Sequence, residues 1–254
     1  MFRHTMLFLG YELGNVRRNP VWPLFGLMQP ILYLLLFAPL LTGLPIGGKP
    51  SGGTLANALL VFTPGVMMMV ALFGSLFTGF SMINETRNGV LERLAVSPAW
   101  RPAIILGRVL KDMIVLILQA ILVMGVAVLM GLRLSLPAVL LMLLLMAATG
   151  LFASSLSYGL ALSIRDEGGM SQVVQLFTLP LMLLAGMMLP ISLGPDWMQT
   201  AARFNPLYYS VEAGRALFAD NFSDGSIPLA FGLFLVLAVL SLGWAVRSMK
   251  RIAG

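Results

Sequence analysis

Six stretches of this chain are apolar enough and long enough to cross a lipid bilayer as helices. They cover residues 22–42, 57–83, 104–130, 136–163, 171–191 and 228–247, to within a few residues. A hydrocarbon core of about 30 Å takes roughly 20 helical residues to cross. Of the 254 residues, 59% are hydrophobic and 10% are charged, a composition outside the range of soluble domains. The sequence therefore predicts an all-α integral membrane protein with six transmembrane helices.

A β-barrel, the other architecture that crosses membranes, does not fit this sequence. Barrel strands alternate apolar and polar residues, whereas residues 139–146 are apolar without interruption. A helix satisfies all of its backbone hydrogen bonds within such a segment. No internal repeat or polar linker divides the chain, so residues 1–254 are predicted to form one membrane domain.

The distribution of Lys and Arg predicts the orientation in the membrane. Lys49, Arg133, Arg203 and Arg215 fall on one side of the six predicted spans, and the rest of the 16 basic residues fall on the other. Positive residues in short loops are retained in the cytoplasm. Both termini are therefore expected on the cytoplasmic side of a cell inner or plasma membrane.

Several chemistries are disfavoured by what the chain carries. The formal charge of +6 comes from scattered residues, without the dense basic run that nucleic-acid binding needs, so nucleic acid is not an expected partner. Residues 43–50 nearly match a phosphate-binding loop, but Pro50 replaces the Ser or Thr that would bind magnesium. No catalytic, metal or cofactor site is expected, and the chain is not expected to be an enzyme by itself.

Ionisable residues lie only at the ends of the predicted spans. A charge at the bilayer centre costs on the order of 3 kcal/mol, and those that occur there mark ion or proton routes. Arg108 and Asp112, four residues apart at the inner end of the third span, are predicted to pair as a structural anchor. Without carboxylates deeper in the membrane a proton-coupled carrier is disfavoured. The driving energy is expected to come from elsewhere.

Two amphipathic segments are predicted on the inner side. Residues 2–19 form a candidate interface helix before the first span. Residues 86–97, between the second and third spans, form a candidate docking helix with an apolar face and a Ser-Pro stop, which we favour over a solvated loop. The expected docking residues are Glu85, Arg87, Gly89, Leu91, Glu92, Arg93, Leu94, Ser97 and Pro98.

On the outer side, residues 195–219 predict two short helices between the fifth and sixth spans. Pro195 opens the first, and Asn205-Pro206 separates it from the second.

Two groups of residues resemble those of a known family. The first comprises Glu85, Gly89, Leu91, Glu92, Leu94, Val96, Ser97 and Pro98, followed by Leu106, Gly107 and Arg108. The second comprises Gly186, Met187, Met188, Leu189 and Pro190, then Asn205, Pro206, Leu207, Tyr208 and Tyr209, then Glu212 and Arg215. In this order and spacing they resemble the ABC-2 type exporter permeases, and among those the daunorubicin-resistance type.

The resemblance implies a dimer, formed with a second copy or a close relative, and two copies of a separate cytoplasmic ATPase that grip the docking helix. ATP and magnesium would then belong to the ATPase. It also implies that the outer helices shape an exit gate. The residues that map to this gate are Pro190, Asn205, Pro206, Tyr208, Tyr209, Glu212 and Arg215.

The expected function is outward movement of a hydrophobic or amphipathic substrate, such as a drug-like molecule, a lipid or a lipid-linked glycan. Membrane lipid is an expected contact of the helices. A secondary carrier and a membrane scaffold that transports nothing remain the alternatives, and the residues do not select the substrate.

Overall fold

The computed structural model describes residues 2–18, 21–42, 54–88 and 101–252, and these residues form helices and connecting turns without a β-strand. The all-α prediction is confirmed. In chain order the helices are α1 (Phe2–Arg18), α2 (Val21–Leu41), α3 (Leu55–Leu76), α4 (Gly79–Arg87), α5 (Arg101–Leu129), α6 (Leu136–Ile164), α7 (Glu167–Leu184), a 3-10 turn (Ile191–Leu193), α8 (Asp196–Ala202), α9 (Pro206–Phe218) and α10 (Ser226–Ile252).

Four of the described helical stretches are long and apolar enough to cross a bilayer. They are Leu55–Arg87, Pro102–Leu129, Leu136–Ile164 and Ser226–Met249. A shorter apolar helix, Gly26–Leu41, coincides with most of the first predicted span. The structure therefore supports a membrane protein with four candidate spans and this shorter helix, and the full set of six stays a prediction.

The fifth predicted span differs most from its expected limits. Helix α7 runs from Glu167 to Leu184 and not over 171–191. It begins earlier because the Asp166 carboxylate caps it, accepting a hydrogen bond of 2.7 Å from the backbone N–H of Gly169. It ends before Gly186, whose φ of +67° lies in the left-handed region that favours glycine and stops a helix.

Helix α3 is the centre of the bundle. In the most apolar 18-residue stretch of the Leu55–Arg87 candidate span, 78% of the residues are buried inside the chain. The corresponding share is 28–44% in the other three candidate spans. Helix α3 packs against α2, α5, α6 and α9. The adjacent side chains of Met67, Met68 and Met69 point in different directions around the helix, yet all are buried. The three methionines are thus enclosed by neighbouring helices on every side of α3.

The second predicted span is interrupted near its C-terminal end. Helix α3 stops at Leu76 and α4 starts at Gly79. Residues 86–87, expected to open a separate docking helix, instead end α4. The rest of that expected helix, from residue 89 to residue 97, lies outside the described residues.

The predicted interface and outer helices are present as helices. Helix α1 lies along α5, and α8 and α9 fall within the expected 195–219. Asn205 precedes α9, and its side-chain oxygen accepts a hydrogen bond of 3.0 Å from the backbone N–H of Leu207. Pro206, which has no N–H to lose, takes the first helical position.

Candidate functional site

A buried arginine at one end of the bundle joins three helices. Arg108 on α5 has 5% of its side chain exposed, and its Nε lies 3.1 Å from Oε1 of Glu12 on α1. This contact is an ion pair without hydrogen-bond alignment. One terminal nitrogen donates to Oε2 of Glu85 on α4, and the other lies 3.0 Å from the sulfur of Met82. These four residues form the Arg108 cluster.

Helix α1 reaches the Arg108 cluster because α5 has a glycine at the contact. A Cβ on Gly107 would lie 2.8 Å from Cβ of Phe8, closer than two side chains can approach. Glu12 follows Phe8 by about one helical turn and therefore comes to lie against Arg108. Burial raises the pKa of the Glu12 carboxyl above its ordinary value, although the positive charge of Arg108 opposes this shift.

Exposed ion pairs link the end of α4 to the start of α7. Arg87 Nη2 donates to Oδ1 of Asp166 at 3.0 Å, and Nη1 lies 3.8 Å from Oε1 of Glu167. Since 53% of the Arg87 side chain is exposed, each pair contributes at most about 1 kcal/mol. Their effect is to set the end of α4 beside the α6–α7 connection. The other docking residues, Gly89, Leu91, Glu92, Arg93, Leu94, Ser97 and Pro98, lie outside the described residues.

Asp112 has partners other than the one that the sequence predicts. Spacing along the helix favours a pair with Arg108, but carboxylates from α1 and α4 bind that arginine instead. Oδ1 of Asp112 lies 2.7 Å from Nζ of Lys111. Its Oδ2 accepts a hydrogen bond of 2.7 Å from the hydroxyl of Tyr158 on α6. Arg108 and Asp112 are both buried at this end of α5, but they bind different neighbours.

A second arginine cluster lies near the opposite end of α3. Arg215 on α9 donates from Nε to the carbonyl oxygen of Val61 at 3.1 Å, and from Nη2 to the carbonyl oxygen of Gly186 at 2.6 Å. Its Nη1 pairs with Oε1 of Glu212 at 2.6 Å. These four residues form the Arg215 cluster, which ties α9 to α3 and to the turn after α7. Burial lowers the pKa of the Arg215 guanidinium, and the charge of Glu212 opposes this.

Backbones pack directly against each other beside the Arg215 cluster. A Cβ on Gly65 of α3 would lie 1.8 Å from the carbonyl oxygen of Met187. A Cβ on Gly214 of α9 would lie 2.9 Å from Cβ of Pro64. Both glycines are therefore required by close approach. The turn after α7, α3 and α9 consequently form one tightly packed unit.

Three of the predicted gate residues, Asn205, Pro206 and Pro190, shape this region. The Asn205 side-chain amide donates to the carbonyl oxygen of Leu181 at 2.6 Å, which fixes the start of α9 on α7. Pro206 begins α9, and Pro190 precedes the 3-10 turn Ile191–Leu193. Each of these residues orders a connection between helices.

An open cleft of about 520 Å³ adjoins the Arg215 cluster. The structure brings together four predicted gate residues in its wall, namely Tyr208, Tyr209, Glu212 and Arg215. The two tyrosine rings meet edge to face with centroids 5.4 Å apart. Burial raises the pKa of the Tyr208 hydroxyl, and the charge of Glu212 adds to that shift. The cleft is therefore aromatic and polar, and it opens between α9 and the start of α10.

Sequence reasoning missed three residues of these sites. Glu12 was visible as an acid in an amphipathic helix, and Tyr158 as a polar ring in an apolar span, where a buried hydroxyl needs a partner. The sequence around Gly65 does not indicate its role, because that role is the close approach to the carbonyl of Met187, 122 positions away in the chain.

The described residues form a bundle of apolar helices, four stretches of which are long enough to cross a bilayer, and this defines a polytopic helical membrane protein. Comparison with known proteins gives the family. Residues 4–219 match the family described as ABC-2 type transporter, and the chain belongs to that family.

Individual relatives agree with this family. The transport permease ycf38 of Cyanophora paradoxa is 27% identical over 224 residues, which cover 85% of this chain and 76% of the relative. That of Porphyra purpurea is 25% identical over 233 residues, covering 90% and 79%. The daunorubicin resistance ABC transporter permease protein DrrB1 of Streptomyces coeruleorubidus is 24% identical over 248 residues, covering 94% and 84%. The resemblance seen in the sequence is thereby confirmed.

Proposed function

We propose that this chain is the membrane subunit of an ATP-driven exporter that moves a hydrophobic or amphipathic substrate outward. The observation that carries the proposal is the Arg108 cluster. It joins α1, α4 and α5 at the point where the chain enters the predicted docking segment. Membership in the ABC-2 family adds that the chain is a transport permease and implies an associated ABC ATPase subunit.

The ATPase partner, in two copies, binds the predicted docking helix in this proposal. In the sequence, residues Gly89 to Pro98 follow α4, whose last turn is fixed by Glu85 and Arg87. A push on the docking helix therefore acts first on α4. ATP and magnesium bind to the partner, and this chain supplies the path for the substrate.

Two copies of the chain, or one copy with a close relative, form the complete pathway in this proposal. Six spans per subunit, cytoplasmic termini and a cell inner or plasma membrane complete the arrangement. In the most apolar stretch of α10 only 28% of the residues are buried inside the chain, which leaves a face of that helix for lipid or for a second subunit.

The Arg215 cluster and its cleft form the outer gate in this proposal. Arg215 fixes α9 to α3 through the Val61 carbonyl, so a shift of α3 moves the wall of the cleft. Tyr208 and Tyr209 offer aromatic rings to an apolar substrate, and Glu212 offers a carboxylate. This composition supports an amphipathic cargo.

The proposal is tested by purifying the tagged chain gently from its native membrane and reconstituting it with the ATPase that accompanies it. Two fluorescent probes are used, daunorubicin and an NBD-labelled phospholipid. ATP-dependent movement of either probe is expected. Movement driven by an ion gradient without ATP would establish the carrier alternative, and a chain that recovers no ATPase and moves neither probe would support the scaffold.

A matched pair of charge reversals tests the docking segment. Glu92→Arg should abolish ATP-dependent movement while the chain stays inserted. Asp196→Arg makes the same charge change on the exposed surface of α8 and should leave movement intact. Equal activity in the two variants would contradict the assignment of residues 89–98 to the ATPase contact.

A further inference from the structure

The interruption between α3 and α4 leaves two backbone groups without helical partners. In a continuous helix the N–H of Gly79 would bind the carbonyl of Ser75, and the carbonyl of Leu76 would accept from the N–H of Phe80. Instead the Ser75 carbonyl accepts from Thr78, and the Phe80 N–H donates to Phe77. The Gly79 donor and the Leu76 acceptor must therefore find other partners inside an apolar bundle.

One side chain of another helix satisfies both groups. The hydroxyl of Ser157 on α6 accepts a hydrogen bond of 2.9 Å from the Gly79 N–H. The same hydroxyl donates to the Leu76 carbonyl at 2.5 Å. A serine hydroxyl has one proton and two lone pairs, so it can make both bonds at once. Ser157 is fully buried, and water does not compete for these bonds.

The position of the break is also fixed by packing. A Cβ on Gly79 would lie 2.5 Å from the carbonyl oxygen of Ser157 and 2.7 Å from the methyl group of Met170 on α7. Only glycine allows α4 to start so close to these two helices. The direction of α4 is therefore set by α6 and α7 as well as by the two hydrogen bonds.

The next residue of α6 binds α5 at the same level. Tyr158 donates to Asp112, and one to two turns further along α4 Glu85 pairs with Arg108. Ser157 and Tyr158 thus connect α6 to the α3–α4 break and to α5, respectively, close to the Arg108 cluster. Since α4 follows α3 in the chain across this break, the break is the covalent connection through which movement of α4 reaches α3.

We propose that Ser157 is a positioning residue for the coupling of ATP hydrolysis to transport, and this inference rests on the proposed function. Its hydroxyl makes the α3–α4 junction stiff, so that the two helices turn as one body. Without this hydroxyl the junction bends, and displacement of α4 is absorbed before it reaches α3.

The neighbouring serines supply a matched control. Ser154 and Ser155 lie on the same helix and are fully buried, but in the described part of the chain their hydroxyls have no hydrogen-bond partner. Ser157→Ala and Ser154→Ala delete the same atom from equally buried positions. Only Ser157→Ala removes the hydrogen bonds to Gly79 and Leu76 across the break.

The first measurement is the number of probe molecules moved per ATP hydrolysed, with the two fluorescent probes named above. Ser157→Ala should lower this ratio about two- to thirty-fold, the range typical of changes along a coupling route, with ATPase binding and hydrolysis retained. Ser154→Ala should keep the wild-type ratio. Ser157→Cys, a weak donor and acceptor, should fall between them. Equal ratios for Ser157→Ala and Ser154→Ala would overturn the inference.

The second measurement does not depend on transport. The chain has no cysteine, so Asn57→Cys on α3 and Asn84→Cys on α4, both exposed, accept spin labels without interference. The two sites are on the order of 40 Å apart along the helices. In otherwise wild-type protein, diluted with excess unlabelled chain, we expect one narrow distance distribution that is the same with and without ATP and the ATPase. Ser157→Ala should broaden it, and Ser154→Ala should not.

The outcomes separate the inference from the proposed function. A distribution of label-to-label distances that is broad or depends on ATP in the wild-type background would refute the stiff junction, even if Ser157→Ala failed to fold. A narrow distance distribution in a complex that moves neither fluorescent probe would reject the exporter proposal but would still support a stiff α3–α4 junction.

Discussion

Substitution of Gly65 by alanine is the sharpest test of the packing between α3 and the turn after α7. The added methyl carbon would lie 1.8 Å from the carbonyl oxygen of Met187, 2.7 Å from its carbonyl carbon and 3.0 Å from its Cα. All three atoms are backbone atoms and cannot rotate away as a side chain would. The turn itself would have to move, and it also carries the Gly186 carbonyl that binds Arg215.

The expected magnitude follows from two opposing terms. Overpacking costs about 1–3 kcal/mol, and the upper end applies because the overlap is with backbone. Replacing glycine by alanine inside a helix returns about 1 kcal/mol. The net loss should be about 2 kcal/mol, which lowers the unfolding temperature of a chain of this size by roughly 4–8 °C.

Gly125 is the matched control for this substitution. It also lies inside a helix, but nothing comes within 4 Å of a Cβ built there. Gly125→Ala should therefore raise the unfolding temperature by roughly 2–4 °C, opposite in sign to Gly65→Ala. Thermal unfolding of both variants in one mild detergent measures this. A Gly65→Ala variant as stable as Gly125→Ala would refute the close approach of the turn to α3.

Two further predictions concern polar contacts, and a third concerns the orientation in the membrane. Arg108→Met leaves two carboxylates without their buried partner and should cost about 3 kcal/mol, whereas Arg108→Lys keeps the charge and should cost less; equal thermal stabilities would contradict the cluster. Asn205→Ala removes a helix cap and a hydrogen bond to a carbonyl, and should lower stability by about 2 kcal/mol in the same assay. In intact cells an impermeant maleimide should label Ser223→Cys and spare Asn88→Cys, and the reverse pattern would invert the proposed orientation.

The main helices could be predicted because their signal is local. Length and apolar composition located α5, α6 and α10 to within a few residues at most ends. The break after α3 could not be predicted in this way, since Phe77 and Thr78 interrupt neither the apolar run nor its length. Its partner, Ser157, is 78 positions away from Gly79. A hydrogen bond over that separation leaves no pattern in a single sequence.

Arg108 and Asp112 could be singled out from the sequence, but their partners could not. A spacing of four residues along one helix favours a pair between Arg108 and Asp112. Contacts between different helices cannot be inferred from a single sequence. In the bundle, Glu12 and Glu85 approach Arg108 from other helices, while Asp112 turns to Tyr158. Tertiary packing decided between carboxylates that the sequence presents as equivalent.

The region between α7 and α10 also contains features that the sequence predicts and features that it does not. Cap and proline signals predicted where α8 and α9 begin, because Asn and Pro act on their own backbone. The two carbonyl oxygens that bind Arg215 belong to Val61 and Gly186, and any residue type would supply them. The arginine could be singled out from the sequence, whereas its backbone partners could not.

Helix α3 is held by polar contacts near both of its ends, and this decides what its movement can transmit. Arg215 binds the Val61 carbonyl near its start, and Ser157 binds the Leu76 carbonyl at its last residue. The 15 helical steps from Val61 to Leu76 span roughly 22 Å of buried, closely packed helix. Pro64 removes one backbone hydrogen bond near its start, where α9 packs against the proline ring. Under the proposed function, a displacement of α4 should therefore reach the Arg215 cluster as a shift of the whole rod. Loosening the junction should then separate ATP hydrolysis from transport more effectively than enlarging a cavity in the middle of the bundle.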